Sequence, residues 1–500
     1  MILNYWNERQ LYLFGILTIR NRIDTYSYTF LFLLRIVGGC VCVWSYYYMD
    51  NEESYKRFVL LLRSFLICMI LLIVFSNLFM ALIGWDGLGL TSFLLVIFYK
   101  NRKCLGSGLI TAITNRIGDC FLFCCLGFFM YQGSTLLLTI IIILSITKRA
   151  QFPFSAWLPA AIAAPTPVRA LVHSSTLVTA GVYVLIRYSV TETQVMLIVG
   201  SMTILTAGLV ACAECDIKKV VALRTLSQLG VIIFSLGAQE KSYCFFHLIS
   251  HAWFKALLFL CVGVCIHSIY GTQDSRRFNI LISTLTPSVL ASVARASLLG
   301  FVYTSGFYRK DMILEVTYKE EFRSYVVSFF LLGIGLTTCY TIKIIITTIS
   351  LNDYTGTNEK SIGGLGRRVK APLFMLGTFR LIFGACAERF TNQLRVVLNT
   401  MDKFIPYFLI FGGTIVGYFV SRFSRVLLSS IFTMVPNRQA LASFAVKPGD
   451  HQKVVDKGWV EARTMRISWT SNSVIRHYTP AYCIGLTVLF IINFNYDQYL

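Results

Sequence analysis

The sequence predicts an all-α polytopic membrane protein with about 14 transmembrane helices. Of its 500 residues, 56% are hydrophobic and only 14% are charged, and the mean hydropathy is +0.66. Soluble globular chains rarely combine these values. Apolar runs of about 20 residues, the length that crosses a hydrocarbon core of about 30 Å, recur between polar breaks. A β-barrel would instead show alternating segments of about ten residues.

The predicted spans follow one another with short connections, for example residues 101–103 and 271–277. Longer polar connectors are predicted at 352–370 and 436–457. The short connections cannot fold separately, so the spans form one membrane domain. The spans are predicted near 29–48, 60–80, 81–99, 107–131, 134–150, 168–187, 193–213, 216–237, 242–267, 283–306, 322–346, 371–387, 404–421 and 480–497.

The charge balance is strongly basic, with 45 Lys and Arg against 24 Asp and Glu and a net charge of +21. The positive residues are scattered over loops and helices, with no basic stripe interleaved with aromatic residues, which argues against nucleic-acid binding. Cations in loops commonly set membrane topology. Polar residues interrupt the first ten positions, so no cleavable signal peptide is predicted there.

The chain contains 15 cysteines. Most lie in apolar runs, where a free cysteine behaves as a small hydrophobic residue. Cys212 and Cys215 form one CxxC pair, but no second pair at zinc or iron–sulfur spacing accompanies it. The sequence therefore predicts no metal site.

Titratable residues within the apolar runs are the main functional candidates, because a charge near the bilayer centre costs at least about 2.5–3.5 kcal/mol. The stretch HLISHAWFKALLFL, residues 247–260, carries His247, His251 and Lys255. At a spacing of four they line one helix face over about 12 Å, as a proton path would require. Alternatively, the histidines hydrogen-bond neighbouring helices and the lysine snorkels. Leu248 follows the first histidine, so the zinc-protease motif is absent.

A second group of candidates surrounds Lys148, which closes an apolar run. Four prolines then follow, at positions 153, 159, 165 and 167, and they forbid a continuous helix. A broken helix at membrane depth must pack within protein or line a cavity. The alternative is an interfacial loop between two spans. His173 lies within the next predicted span.

A third group occupies the run LIGWDGLGLTSFLLVIF, residues 82–98. Asp86 lies there among Gly84, Gly87 and Gly89, small residues that allow close helix approach. An aspartate and a lysine buried together can be coupled, because the lysine holds its proton near the carboxylate and releases it on separation. The alternative is a static buried ion pair.

Three further charged motifs stand out. Arg116 and Asp119, three residues apart in TNRIGD, are positioned to meet on one helix face. Lys310 and Asp311 lie in GFYRKDMILE, where periodicity alone favours a solvated exit loop. In DIKKVVALRTLSQLG, Asp216 is suited to the helix N-cap.

Seven motifs occur here in the order found in the chain 5 family of NADH–ubiquinone oxidoreductase, the distal antiporter-like subunits of respiratory complex I. The resemblance covers residues 29–315 and continues beyond them in layout only, and HSSTLV resembles the mitochondrial form. Sister antiporter-like subunits and cation/proton antiporter subunits share several of these motifs. They are GWDGLGLTSFLLV, TNRIGD, KRAQFPFSAWLP, PTPVRALVHSSTLVTAGVYVLIR, DIKKVVALRTLSQLG, HLISHAWFKALLFL and GFYRKD.

The resemblance implies two five-helix inverted repeats, each with a broken helix, and a chain of hydrated charges along the middle of the membrane. It reverses the preference for a solvated loop at Lys310. The implied proton-relay residues are Asp86, Lys148, His173, His247, His251, Lys255, Lys310 and Asp311, with Arg116 and Asp119 in support.

The resemblance also implies three regions. An antiporter-like transmembrane domain would occupy 1–435, a polar linker and lateral amphipathic helix 436–478, and a C-terminal anchor helix 479–500. Sequence alone leaves the amphipathic helix an open question, because DKGWVEARTMRISW is only loosely amphipathic.

The implied activity is that of a proton-translocating subunit of NADH:ubiquinone reductase in the mitochondrial inner membrane. The chain would hold no cofactor itself, since NADH, FMN, iron–sulfur clusters and ubiquinone would bind elsewhere in the complex. Its implied partners are the neighbouring antiporter-like chain 4, other membrane and accessory subunits, and lipids.

Three departures keep alternatives open. Family members commonly have two further spans before 29–48, for which the amino-terminal segment is too short. Val302 stands where the family usually has a proline. Asp86 replaces the glutamate of bacterial relatives. The first two departures favour a purely structural remnant of complex I as an alternative. A cation/proton antiporter subunit, which would have the same buried lysines, and a bacterial plasma-membrane location are further alternatives.

Overall fold

The structure is a computed structural model, and the chain divides into two compact units, Met1–Phe432 and Thr433–Leu500. The second unit lies wholly outside the described residues, and with it the predicted linker, lateral helix and anchor helix. The structure describes residues 9–13, 17–21, 24–50, 52–75, 78–129, 134–155, 157–172, 175–187, 193–214, 216–239, 241–268, 306, 313, 324–349, 369–379 and 400–422.

A two-stranded antiparallel hairpin precedes the first helix. Strands β1 (Arg9–Leu13) and β2 (Leu17–Asn21) pair with Arg9 opposite Asn21. The sequence predicted helices only, so this hairpin is a correction to the all-α fold class. Its strands contain Thr18 and Ile19, β-branched residues that favour extended backbone.

The rest of the first unit, where described, is helical. Each predicted span between residues 29 and 267 and between 322 and 421 overlaps at least one described helix, and 168–187 is divided between two. The predicted span 283–306 lies almost entirely outside the described residues. The helices are α1 (Thr25–Tyr48), α2 (Tyr55–Val74), α3 (Leu78–Val96), α4 (Arg102–Phe129), α5 (Ser134–Lys148), α6 (Trp157–Ala160), α7 (Thr166–Val172), α8 (Leu177–Arg187), α9 (Thr193–Ala213), α10 (Ile217–Gly237), α11 (Lys241–Ser268), α12 (Ser324–Ile349), α13 (Val369–Phe379) and α14 (Thr400–Arg422).

Seven helical segments in the described ranges are long and apolar enough to cross a membrane: α1, α2, α7 with α8, α9, α10, α11 and α12. Shorter apolar helices add Met80–Val96, Val369–Phe379 and Tyr407–Phe419. The chain is therefore a polytopic helical membrane protein.

The inner helices are α7, α8, α10 and α11. Their apolar segments are buried on all sides, whereas only a third of the α2 segment is buried. A helix that is apolar all round belongs in the interior of a bundle or against lipid. Outward-facing side chains such as Leu60 and Ile113 are more than half exposed, and in a membrane these surfaces face lipid.

Close helix contact depends on small residues, as α9 and α10 illustrate. A Cβ atom on Gly200 would lie 2.9 Å from the backbone nitrogen of Phe234, and one on Gly230 would overlap the Thr203 hydroxyl. These two helices therefore approach through glycine, as is common in membrane bundles.

Asp216 takes the predicted N-cap position of α10, with extended backbone, but its carboxylate makes no capping hydrogen bond. It lies 3.4 Å from the Lys219 ammonium three residues later. The predicted N-cap position of Asp216 is therefore confirmed, while its carboxylate pairs with Lys219 and makes no capping hydrogen bond.

Candidate functional site

Lys148 is the last residue of α5 and is 2% exposed. Its Nζ lies 3.5 Å from Asp119 Oδ1 on α4 and donates to the Trp85 carbonyl oxygen on α3 at 3.3 Å. The ammonium also lies 4.8 Å from the centroid of the Trp85 ring. Three helices therefore converge on one buried positive charge.

The Asp119 carboxylate is held from three sides. Besides Lys148, the Trp85 indole Nε1 donates to its Oδ1 at 2.9 Å, and Arg116 lies 3.5 Å from its Oδ2. Arg116 and Asp119 thus meet on one face of α4, as their spacing predicted. The Arg116 side chain is about half exposed, so the cluster runs from the surface of the described bundle to its interior.

Asp86 lies on α3 next to this cluster but is not the ion-pair partner of Lys148. The structure pairs Lys148 with Asp119 instead. Asp86 is partly buried and interacts at longer range with Lys148, Asp119 and Arg116. The reason is helix geometry: Trp85 lies on the side facing Lys148, and the next residue points about 100° away from it.

The glycines around Asp86 make the close contacts that the sequence predicted. A Cβ on Gly84 would lie 2.7 Å from the Cys68 carbonyl oxygen, and one on Gly87 would lie 2.6 Å from the Cys68 sulfur, so α3 touches α2 closely. Gly89 has another role, because a Cβ there would lie 3.3 Å from Lys148 Nζ. Gly89 therefore provides space for the buried ammonium.

The chain breaks directly after Lys148, as the prolines predicted. Ala150 has a φ of 58°, and the Trp157 indole donates back to the Thr147 carbonyl at 2.9 Å. The Arg169 guanidinium donates through Nε to the Ala164 carbonyl at 2.9 Å, bracing the turn before α7.

Most of the side chains from α6 to α8 are buried, and the segment contacts α1, α4, α10 and α11. This burial favours a packed broken helix over a solvated loop.

The predicted ladder lies on one continuous helix, α11. His247 is 1% exposed, and His251 and Lys255 are both fully buried. The His251 ring contacts the Phe254 ring edge to face, with centroids 5.3 Å apart, and the Lys255 Nζ lies 5.9 Å from the same Phe254 ring. Three buried titratable side chains therefore lie along one face of α11.

Three relay candidates and one cysteine of the CxxC pair lie outside the described residues. His173, Lys310 and Asp311 lie outside the described residues, so their predicted relay roles stay predictions. Cys215 is also outside them, while Cys212 lies with its sulfur 3.5 Å from that of Cys339. No group of three or more His, Cys, Asp or Glu that could hold a metal occurs within the described ranges.

Sequence reasoning missed four residues of this region. Trp85 was overlooked although its carbonyl oxygen accepts from Lys148, and Gly89 was attributed to helix packing although it leaves the space beside the Lys148 ammonium. Arg149 and Gln151 are both fully buried directly after Lys148. Their position beside a membrane-buried lysine was a signal visible in the motif KRAQFPF.

Two family models match the chain. The model described as NADH:quinone oxidoreductase/Mrp antiporter, TM, matches residues 76–337. The model described as NADH-Ubiquinone oxidoreductase (complex I), chain 5 N-terminus, matches residues 16–59. The first covers more than half of the chain and includes the cluster around Lys148 and the α11 ladder.

A solved structure supports the fold. A chain in the structure of the Mrp complex from Dietzia sp. superposes with a TM-score of 0.75 at 20% identity, over 97% of the present chain and 58% of that chain. The present chain therefore spans less than two thirds of that neighbour.

Curated relatives define the family. NADH-ubiquinone oxidoreductase chain 5 of Artemia franciscana is 39% identical over 418 residues, which cover 79% of the present chain and 75% of the relative. The corresponding protein of Anopheles quadrimaculatus is 36% identical over 478 residues, covering 88% and 83%. The chain belongs to the NADH-ubiquinone oxidoreductase chain 5 family.

Proposed function

We propose that this chain is a proton-translocating membrane subunit of NADH:ubiquinone oxidoreductase, coupling electron transfer elsewhere in the complex to proton movement through its buried charges. The observation that carries the proposal is the burial of two lysines in one bundle. Lys148 is paired with Asp119, and Lys255 follows two buried histidines along α11. The family to which the chain belongs supports the same function.

Buried lysines are suited to this task because their protonation depends on their surroundings. Desolvation disfavours a charged ammonium, and a nearby carboxylate favours it. A change in the distance between Lys148 and Asp119 would therefore change how tightly Lys148 holds its proton. Intramembrane ionisable groups of this kind commonly form proton relays in pumps and transporters.

In the proposed sequence of events, Lys148 holds a proton while Asp119 is close. Asp86 modulates this pair from a longer distance, and Lys148 exchanges its proton with Lys255 through water and the histidines His247 and His251. His173 joins this exchange, and Lys310 with Asp311 connects the path to one aqueous face.

The redox chemistry of the proposed complex takes place outside this chain. Oxidation of NADH and reduction of ubiquinone occur in other subunits, which hold FMN and the iron–sulfur clusters, and their free energy reaches this chain through neighbouring membrane subunits. The antiporter-like chain 4 is the proposed neighbour, with accessory subunits and lipids around it, and the location is the mitochondrial inner membrane.

The decisive variant is Lys255→Ala in the assembled complex. It should strongly depress NADH oxidation coupled to proton pumping and leave assembly intact. Lys343→Ala is a matched control, because Lys343 is also buried but donates to the carbonyl oxygens of Cys212 and Glu214 at the end of α9. The control should lower thermal stability without lowering the protons moved per NADH. Wild-type rates and proton yield in Lys255→Ala would refute the relay role.

A cation/proton antiporter subunit is the second candidate, favoured by the fold shared with a chain of the Mrp complex. Such a subunit would use the same buried lysines without NADH-oxidising partners. Native gel electrophoresis separates the two: the band that contains this chain oxidises NADH under the first proposal and does not under the second.

A further inference from the structure

Arg149 is a positive charge in the interior of the bundle that has no partner among the described residues. The residue is fully buried, and within the described part of the chain none of its three guanidinium nitrogens has a hydrogen-bond partner. Its own backbone nitrogen donates to the Ser145 carbonyl at 3.2 Å. Arg169, the buried arginine of the same broken segment, instead donates to the Ala164 carbonyl. Burial without a partner is therefore a property of Arg149 and not of this segment's arginines in general.

The Arg149 side chain packs against α8 and interacts with the first turns of α11. Arg149 directly follows Lys148, and a Cβ on Gly181 of α8 would lie 3.2 Å from Arg149 Cγ and 3.3 Å from its Nε. Arg149 also interacts electrostatically with the Cys244 thiol of α11. That thiol donates to the Ile232 carbonyl of α10 and does not neutralise the cation.

Cys244 marks the α11 face that the relay uses. It precedes His251 by seven residues and Lys255 by eleven, and at about 100° per residue the three directions agree within about 40°. Arg149 is therefore placed beside the end of the stripe that continues through His251 to Lys255.

A buried charge without a partner is strongly disfavoured. Proteins break such rules mainly at functional sites. The guanidinium stays protonated in proteins, so Arg149 cannot carry the translocated proton itself. A fixed positive charge in a low-dielectric interior repels other cations. An arginine beside a hydrated pore can exclude protons by this repulsion.

We propose that Arg149 is an electrostatic barrier between Lys148 and the α11 stripe, which prevents protons from leaking through the relay when the complex is not turning over. The proposal rests on the proposed relay function. Arg149 is thus a positioning residue, which controls where an excess proton can reside and does not itself accept it. Gly181 gives the guanidinium its space, because any side chain there would crowd Arg149.

The test compares Arg149→Gln, Arg149→Met and Arg149→Lys in the complete complex reconstituted into vesicles. Two quantities are measured: the decay rate of an imposed pH gradient without NADH, and the protons moved per NADH during turnover. The neutral variants should increase the complex-dependent decay rate about tenfold and lower the proton yield, with NADH oxidation maintained. Arg149→Lys should remain close to wild type, because it keeps the charge.

Arg169→Gln is the matched control. It removes a buried arginine that is bonded to the backbone, so it should reduce stability or assembly without opening a leak. Removal of an unpaired charge, in contrast, should leave the assembly of the neutral Arg149 variants unchanged or improved.

Three other outcomes would contradict the proposed barrier. Wild-type gradient decay in both neutral variants would contradict it directly, and so would loss of NADH oxidation without a leak. Failure of both neutral variants to assemble would contradict the unpaired state on which it depends. Lys255→Ala separates the two proposals, because it should stop pumping without causing leakage; if it pumps normally, the relay itself is refuted whatever the Arg149 variants do.

Discussion

The Lys148 ammonium lies 3.5 Å from the Asp119 carboxylate, and both side chains are almost completely buried. This contact joins the end of α5 to the middle of α4 beside the indole of Trp85. The carboxylate that holds the charge of Lys148 is therefore Asp119, with Asp86 at longer range.

Asp119→Asn is expected to be the more harmful of two matched carboxylate substitutions. It keeps the shape of the side chain but leaves the buried Lys148 charge without its partner, and breaking a buried pair costs about 3–5 kcal/mol. Coupled NADH oxidation and the proton yield of the assembled complex should both fall strongly. Asp86→Asn should cause a smaller loss, and an equal or larger loss would place the controlling charge on Asp86.

Trp85→Phe should weaken the position of Asp119 without removing any charge. The substitution deletes the indole donor to Asp119 Oδ1 and keeps an aromatic face near Lys148. A hydrogen bond to a charged group contributes about 1.5–3 kcal/mol, so the thermal inactivation temperature should fall and coupling should be reduced in part. An unchanged inactivation temperature together with unchanged coupling would show that this hydrogen bond is dispensable.

Gly89→Ala should displace the Lys148 ammonium, because the new methyl group would lie 3.3 Å from Nζ. We expect a partial loss of proton yield at nearly normal assembly. Gly39→Ala is the control. A Cβ there would meet no heavy atom of another described helix within 4 Å, so the substitution should change neither the proton yield nor assembly. Equal behaviour of the two variants would contradict the role of Gly89.

The transmembrane helices were largely predictable because the apolar runs are long and clearly separated, as with α1, α9 and α11. The break after Lys148 was also predictable, since proline removes a backbone donor and clashes with the preceding turn. The ladder on α11 followed from a spacing of four, which places His247, His251 and Lys255 on one face.

The contacts between helices were not predictable in the same way. The partner of Lys148 depends on how α3, α4 and α5 are rotated against one another, which no local pattern in the sequence specifies. For the same reason, neither the space at Gly89 nor the isolation of Arg149 could be deduced. The hairpin β1–β2 was missed because short apolar runs do not distinguish strands from helices.

The most direct test of the relay is the number of protons translocated per NADH oxidised when Lys148 and Lys255 are both replaced by methionine in the assembled complex. Methionine keeps the length and apolar character of the side chains while removing both proton-carrying groups. The proposed relay predicts an assembled complex with a strongly reduced proton yield. A wild-type yield would contradict it and indicate that the chain has only a structural role.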